Sequence, residues 1–174
     1  DPVGSLSSRV LLNTSDLDKD GDGGMLINDY SNISFDAHME WRPDDNTTYK
    51  AAGGMNAGRG AFFNSQGVGY QQGTQYWAQA QANVGNWYAQ VFYDYNDGGK
   101  DDNPTFLYAT GLRQVAERSS LQAQLQYSFD MPWLFDSEWT VGWDYNDTMS
   151  DSAYTLYGRN DDNDDYVVNG FYGQ

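Results

Sequence analysis

The sequence predicts an all-β protein, an antiparallel meander of about seven long strands. Three observations support this fold class: apolar and polar residues alternate along most of the chain, helical periodicity is nearly absent, and short connections alternate with long ones. A period of two is what a strand produces when one face is apolar and the other polar. In residues 120–129, for example, the odd positions are Leu, Ala, Leu, Tyr and Phe, and the even positions are Ser or Gln.

Four other predicted strands follow the same pattern with different side chains: residues 31–41, 75–84, 87–96 and 138–146. Residues 48–58 are strand-like but small and glycine-rich, and residues 166–174 are predicted to be a strand that is cut short. Most of these segments are about ten residues long, whereas strands of globular proteins usually have about five or six. About nine to eleven residues is the length of a tilted strand that crosses a bilayer. The strand lengths therefore favour a membrane-spanning sheet.

The connections between the predicted strands fall into two classes. Short connections are expected at residues 42–46, 85–86 and 130–137. Long ones are expected at residues 59–74, 97–118 and 147–165. Outer-membrane barrels have short periplasmic turns at one end and long external loops at the other. We therefore predict that residues 30–174 form strands of a transmembrane outer-membrane β-barrel, and that residues 1–29 form an external acidic loop.

Composition excludes several other classes of protein. The chain of 174 residues has 25 acidic and 9 basic residues, so its formal charge is −16, which argues against a nucleic-acid partner. It has no cysteine, which excludes a disulfide scaffold and the usual zinc sites. No apolar run reaches the roughly 18 residues of a transmembrane helix. Most acidic residues lie in the predicted external segments.

Aromatic residues lie near the ends of the predicted strands. Trp41, Trp87 and Trp133 are beside the short turns, and Tyr93 and Tyr95 are at the opposite ends, as in the two aromatic girdles of a barrel. A soluble antiparallel sandwich also alternates, and periodicity cannot separate a lipid-facing side from a core-facing side. The polar faces are rich in Gln, Asn, Ser and Gly and carry few charges, which favours the barrel.

Short spaced motifs resemble barrel strands of TonB-dependent outer-membrane receptors. They are YWAQAQ at 76–81, YAQVFY at 88–93, TFLYATG at 105–111, SLQAQLQY at 120–127, VGWDY at 141–145, YGRN at 157–160 and GFYGQ at 170–174. The resemblance covers roughly residues 30–174 and depends on the motifs as a set. It implies a 22-stranded barrel around an N-terminal plug, preceded by a TonB-binding segment. This chain shows neither plug nor TonB-binding segment, and it is expected to form about a third of such a barrel.

The function implied by this resemblance is energised uptake of a scarce nutrient, whose class (siderophore, cobalamin, oligosaccharide or peptide) stays open. The implied partners are the bilayer of the bacterial outer membrane, the remainder of the same barrel with its plug, TonB through the N-terminal region, and a small nutrient ligand. We expect no catalytic residue and no nucleic-acid partner. The alternative function is that of a soluble, secreted, calcium-stabilised β-sandwich that binds carbohydrate.

A possible calcium site lies in the N-terminal segment. Asp16, Asp18 and Asp20 are followed by a glycine and by Asp22, which matches the first half of an EF-hand loop. Position 12 of that loop is normally a bidentate Glu and is Ile27 here. Two interpretations stay open: a calcium-binding external loop, or a solvated acidic loop. No other cofactor is expected.

Titratable residues on the predicted polar faces are the remaining candidates for chemistry. His38, the single histidine, lies between Asp36 and Glu40 on one face of its strand, so it is either a proton or metal site or simply a polar residue. Asp94 and Asp144 could be a pair of glycosidase carboxylates if they lay close together. A role along the path of a substrate fits them equally well.

The long loops contain an acidic run and several aromatic residues. Residues 161–165 carry four carboxylates, which are expected to be solvated or bound to a cation. The loop aromatics are expected either to be exposed for ligand stacking or to pack the loops together. They are Phe62, Phe63, Tyr70, Phe106, Tyr154 and Tyr157.

Overall fold

The computed structural model describes residues 3–4, 11–12, 30–64, 67–99, 105–107, 112–155 and 165–174. Every regular element in these residues is a strand. The strands are β1 (Val3–Gly4), β2 (Leu11–Leu12), β3 (Ser31–Asp44), β4 (Thr47–Asn64), β5 (Gly67–Val84), β6 (Trp87–Asp97), β7 (Thr105–Leu107), β8 (Leu112–Gln114), β9 (Glu117–Met131), β10 (Ser137–Asp151) and β11 (Tyr166–Gly173).

The seven long strands form one open antiparallel sheet. Their order is β11-β10-β9-β6-β5-β4-β3, so each long strand pairs with the long strands nearest to it in the sequence. The short strands β7 and β8 form a hairpin beside β5, and β1 pairs with β2 in a separate two-stranded sheet. The predicted all-β antiparallel meander is therefore confirmed. Within the described ranges, the structure contains no helix whose length and hydropathy would let it span a bilayer.

The prediction of a long loop at residues 59–74 is wrong. Strand β4 continues to Asn64 and β5 begins at Gly67, and their pairing is regular from Thr47 opposite Val84 to Asn64 opposite Gly67. Glycines such as Gly58 interrupt the alternation in this stretch, so the side-chain pattern is lost. The ladder of backbone hydrogen bonds does not need that pattern, because every residue carries its own N–H and C=O groups.

The register brings the predicted apolar faces of β3, β5, β6, β9 and β10 onto one side of the sheet, and alternate residues of β4 and β11 share that side. Residues directly opposite each other on neighbouring strands share a face of the sheet. Phe35 lies opposite Met55, Met55 opposite Tyr76, and Tyr76 opposite Tyr95. The apolar belt, as we call this face, consists of alternate residues in the ranges 33–41, 49–57, 76–84, 87–95, 121–129, 139–145 and 167–173.

The apolar belt is uncovered along the whole sheet. Ile33 is 67% exposed at one edge strand and Phe171 is 83% exposed at the other, and large side chains such as Val91 and Leu125 are exposed between them. Burial of apolar surface is the main driving force for folding of a globular domain. Among the described residues, this face has no second layer to provide such burial.

Buried side chains lie instead at the end of the sheet opposite the short turns. Tyr70 and Leu107 are each 1% exposed, and Val115 is 4% exposed. Strand β6 ends at Asp97, and β7 takes its place beside β5 by pairing Leu107 with Gly69. We call residues 67–72, 98–99, 105–107, 112–116 and 152–155 the loop-end cluster. The prediction that Tyr70 lies in a loop is wrong, because the residue belongs to β5. Its burial agrees with the alternative in which these aromatic residues pack together.

One glycine allows the transition from β6 to β7. A Cβ atom at Gly73 would overlap the carbonyl oxygen of Asp97, so any other residue would force the two backbones apart. Nearby, the amide of Gly98 donates to the carbonyl oxygen of Ala116 at 2.7 Å. In return, the amide of Ala116 donates to the carbonyl oxygen of Gly99 at 2.9 Å. These backbone bonds attach the β7–β8 excursion to the start of β9.

Candidate functional site

The polar face consists of the residues that alternate with the apolar belt, and the register arranges them in rows across the strands. One row joins Asp36, Gly54, Trp77, Asp94 and Ser120. Gly54 leaves a gap in this row: the indole Nε1 of Trp77 would lie 2.7 Å from a Cβ atom at that position, and a carboxylate oxygen of Asp36 also reaches it. The side chains of the two neighbouring strands therefore lean over the glycine between them.

His38 lies on the same face as Asp36 and Glu40, as the alternation predicts. Its ring centroid is 6.1 Å from that of Trp77, at an interplanar angle of 49°. Glu40 forms ion pairs with Arg42 and with Lys50, the latter at 3.8 Å. Within the described part of the chain, no three His, Asp or Glu side chains come close enough together to hold a metal ion. The geometry thus gives His38 an aromatic neighbour and no set of metal ligands.

Asp94 and Asp144 are on the polar face but in different rows. Asp94 accepts a hydrogen bond from Nε2 of Gln75 at 3.0 Å. Strand β9 separates β6 from β10, and Asp144 lies four residues along β10 from Thr148, which shares the row of Asp94. Strand spacings place the two Cα atoms about 16 Å apart. The carboxyl groups of glycosidases are at most about 9.5 Å apart, so this spacing does not support a catalytic pair.

A concave groove of about 290 Å³ lies on the polar face near the loop-end cluster. It is formed where the ends of β3 to β6 meet, and we call it the loop-end groove. Five carboxamide residues of the polar-face register line it: Asn32, Asn56, Gln71, Gln75 and Asn96. The same register adds Gly58, Gly60 and Gly73 and two aromatic residues, Tyr30 and Phe62.

A second concavity of about 290 Å³ lies between β6, β9 and β10, and Gln90, Gln124 and Asp144 are among its lining residues. Next to it, Nε2 of Gln124 donates to the hydroxyl oxygen of Tyr172 at 3.3 Å. The ring of Tyr172 lies over Gly142, where a Cβ atom would overlap it. Glycine again lets an aromatic ring of one strand cross a neighbouring strand.

Aromatic residues near the short turns form a band on the apolar belt. Trp41 stacks on Tyr49 with ring centroids 5.4 Å apart, and Trp87 contacts Tyr127 at 4.6 Å. Both tryptophans are more than half exposed, and Trp133 in the turn after β9 is more exposed still. The three tryptophans predicted beside the short turns are therefore at that end of the sheet, with their rings accessible.

The opposite ends of the strands carry a second aromatic group. Tyr76 stacks on Tyr95 with centroids 6.0 Å apart, and Tyr93 is 42% exposed on the same face. The hydroxyl of Tyr95 donates to a carboxylate oxygen of Glu117 at 3.1 Å. These tyrosines lie where the apolar belt gives way to charged residues.

The remaining predicted site residues lie mostly outside the described residues. This holds for the possible calcium ligands Asp16, Asp18, Asp20 and Asp22. Of the acidic run 161–165, only Asp165 is described, and its Oδ1 accepts a hydrogen bond from the amide of Ser150 at 2.8 Å.

The loop aromatics divide into exposed and enclosed residues. Phe63 and Tyr154 are exposed, Phe62 is half-buried and Tyr70 is buried, whereas the side chains of Phe106 and Tyr157 lie outside the described residues. Phe63, which lies in β4, and Tyr154 thus fit the alternative of exposed aromatics, whereas Tyr70 fits the alternative of packing.

The sequence did not single out the carboxamides of the loop-end groove. Alternation places Asn and Gln on the polar face, but only the register shows which of them meet.

A comparison with known protein families, curated proteins and solved structures finds no match to this chain.

Proposed function

We propose that this chain forms part of the wall of an outer-membrane β-barrel of the TonB-dependent receptor type, which takes up a scarce nutrient. The observation that carries the proposal is the exposed apolar belt, which extends over all seven strands of the main sheet. A large contiguous apolar surface indicates an interaction with lipid or with another protein. Lipid is the partner that a smooth belt across antiparallel strands fits best.

The height of the belt supports a membrane-spanning role. On β6 it extends from Trp87 to Tyr95, eight steps along the strand, which amounts to about 26 Å. A strand tilt of 35–45° reduces this to about 20 Å along the membrane normal, close to the apolar band of about 25 Å in outer-membrane barrels. The aromatic groups at both ends of the belt are placed as interfacial girdles are.

The polar face and the sheet edges support the same proposal. Gln, Asn, Ser and Gly predominate opposite the belt, a composition that suits a wet lumen. The edge strands β3 and β11 each have one side without a partner in the sheet. Unpaired backbone groups are very costly in lipid, so a barrel requires further strands at both edges. In this proposal the remainder of the barrel supplies them, and a plug and TonB provide gating and energy.

A soluble β-sandwich is less well supported. Its apolar face would require a second layer, and the only other sheet among the described residues is the pair β1–β2, with two residues in each strand. We therefore expect fractionation of cells to place the protein in the outer membrane, where it resists extraction by salt and requires detergent.

Site-directed spin labelling tests the proposal directly, because the chain contains no cysteine. Ala78→Cys, Ala80→Cys and Ala82→Cys place labels on the belt side of β5, and Gln79→Cys and Gln81→Cys place matched labels on the polar face. In membranes, belt labels should collide with oxygen, which concentrates in lipid, and polar-face labels with a water-soluble nickel chelate. Low collision rates with both reagents at the three alanine positions would indicate a buried core and would overturn the proposal.

Uptake itself requires a cellular test. Cells that lack this protein should lose energised accumulation of one class of nutrient, and cells that lack TonB should lose it to the same extent. Restoring this protein in the first strain should restore uptake. Uptake that persists without TonB would remove the receptor part of the proposal and leave a passive barrel.

A further inference from the structure

We propose that the loop-end groove binds a neutral carbohydrate, so that the nutrient is an oligosaccharide. This inference rests on the proposed function, because it names the substrate class for the polar face of the same wall. The groove lies beyond the apolar belt, on the side of the long loops. A ligand that arrives from outside the cell would reach this region first.

The hydrogen-bonding groups of the groove suit hydroxyl groups. Asn56, Gln75 and Asn96 lie directly opposite one another on β4, β5 and β6, and they form a row of three carboxamides. Asn32, opposite Gly58, and Gln71, opposite Gly60, add two more carboxamides in rows nearer the loop-end cluster. A carboxamide both donates and accepts hydrogen bonds, as a sugar hydroxyl does. A row of such groups can therefore satisfy successive hydroxyls along one edge of a sugar ring.

The ends of the groove suit a flat ring, and its floor adds polar contacts. Gly58 and Gly73 lie opposite each other at its centre. The carboxamide of Asn32 adjoins Gly58, and the carbonyl oxygen of Asp97 occupies the space above Gly73. Tyr30 is 75% exposed at the entrance, and Phe62 lies on the same face further along β4. Aromatic rings present flat apolar surfaces, on which the C–H faces of a pyranose can stack. The groove thus combines the two kinds of contact that a carbohydrate requires.

The charges argue against an ionic ligand. Arg59 and Asp97 are the charged residues that line the groove. Both belong to the alternate register, which faces the belt side, and Oδ1 of Asp97 accepts a hydrogen bond from the amide of Gly99 at 3.1 Å. An anionic iron chelate or a phosphate requires cationic side chains, and a metal ion requires several carboxylates. The groove face provides neither.

Binding to the detergent-solubilised protein, measured by isothermal titration calorimetry, tests the inference. The probes are neutral oligosaccharides from glucan, xylan and chitin, together with ferric siderophores, cobalamin and short peptides. We expect one family of oligosaccharides to bind. Asn56→Ala should weaken that binding about tenfold through the loss of its hydrogen bonds, and Tyr30→Ala should weaken it by a similar factor through the loss of stacking.

Asn83→Ala is the matched control, because Asn83 is on the same polar face but about 26 Å along β5 from the row of Asn56. Its affinity should equal that of the unmodified protein. Binding only of siderophore, cobalamin or peptide, or binding of sugar that neither groove variant weakens, would overturn the inference. Neither result would change the collision rates of the spin labels on β5. Failure of the sugar site and failure of the membrane proposal are therefore distinguishable.

Discussion

The apolar belt and the loop-end cluster contain similar side chains in opposite environments. Tyr93 on the belt is 42% exposed, whereas Tyr70 in the cluster is 1% exposed, although both lie in antiparallel strands of the same sheet. The cluster encloses its apolar residues with the chain itself, by placing β7 against β5 where β6 ends. The belt leaves its apolar residues for something outside the described residues to cover.

In the proposed barrel, this difference suits one sheet to two solvents, water and lipid. In water, a segment remains folded if it buries apolar groups and satisfies its polar ones. The loop-end cluster does both, with Thr105 and Ser152 buried beside Leu107 and Val115. In lipid, apolar side chains need no further cover, but every backbone group must be paired. The long regular ladders beneath the belt meet that requirement except at the two edges.

The largest effect is expected from removing the aromatic side chain of the cluster. Tyr70→Ala should lower the free energy of unfolding of this region by about 3–5 kcal/mol, because it creates a cavity among enclosed residues. Tyr93→Ala on the belt should cost only about 1 kcal/mol, because that side chain is already partly exposed. Hydrogen exchange at the amides of β7 and β8, together with chemical unfolding in detergent, measures both changes.

Equal losses of stability in the two tyrosine variants would contradict the difference between the belt and the cluster. Equal losses of several kcal/mol would mean that the belt is packed as tightly as the cluster, as in the core of a soluble sandwich. Faster exchange confined to β7 and β8 in the Tyr70 variant would show instead that the cluster opens without the belt strands.

An intermediate effect is expected from a charge on the belt. Ala80 lies opposite Ala51 and Val91, near the middle of the belt. Ala80→Arg should reduce stability in a bilayer by about 2–4 kcal/mol, the cost of a cation at the midplane of a lipid-facing strand.

Gln79→Arg is the matched control for that variant, because its side chain lies on the polar face between Ala52 and Phe92. It should leave stability within about 0.5 kcal/mol. Urea titration of the protein folded into lipid vesicles measures both variants. If Gln79→Arg reduced stability as much as Ala80→Arg does, neither face of β5 would be in contact with water.

Much of this fold could be predicted from side-chain alternation. The faces of β9 and β10 follow from it because their apolar and polar residues alternate, and a slip by one residue would reverse them. The extension of β4 and β5 could not be predicted, because Gly58, Gly60 and Gly73 have no side chain to show which face they take. There the backbone ladder alone determines the structure.

The candidate site was less predictable than the fold. The row of Asn56, Gln75 and Asn96 joins three strands, and its members are 19 and 21 residues apart in the sequence. Their meeting depends on the register of two hairpins, which a periodic pattern within one strand does not determine. The alternation correctly placed His38 on one face with Asp36 and Glu40, but it could not show that Asp94 and Asp144 lie in different rows.

The smallest effect is expected from a single hydroxyl that joins two loops of the cluster. Oγ1 of Thr155 accepts a hydrogen bond from the amide of Val115 at 2.8 Å and donates to the carbonyl oxygen of Ser152 at 2.7 Å. Thr155→Val keeps the shape of the side chain but removes the acceptor of the Val115 amide. Val115 is only 4% exposed, so water cannot easily replace that acceptor. We expect the free energy of unfolding of the cluster to fall by about 1–2 kcal/mol, seen as faster hydrogen exchange of that amide.

Thr155→Ser is the control, because it retains the hydroxyl and should retain most of the protection of the amide from exchange. If the valine variant exchanged as slowly as the unmodified protein, the cluster would owe its order to apolar packing alone, and its contrast with the belt would be one of burial and not of polar satisfaction.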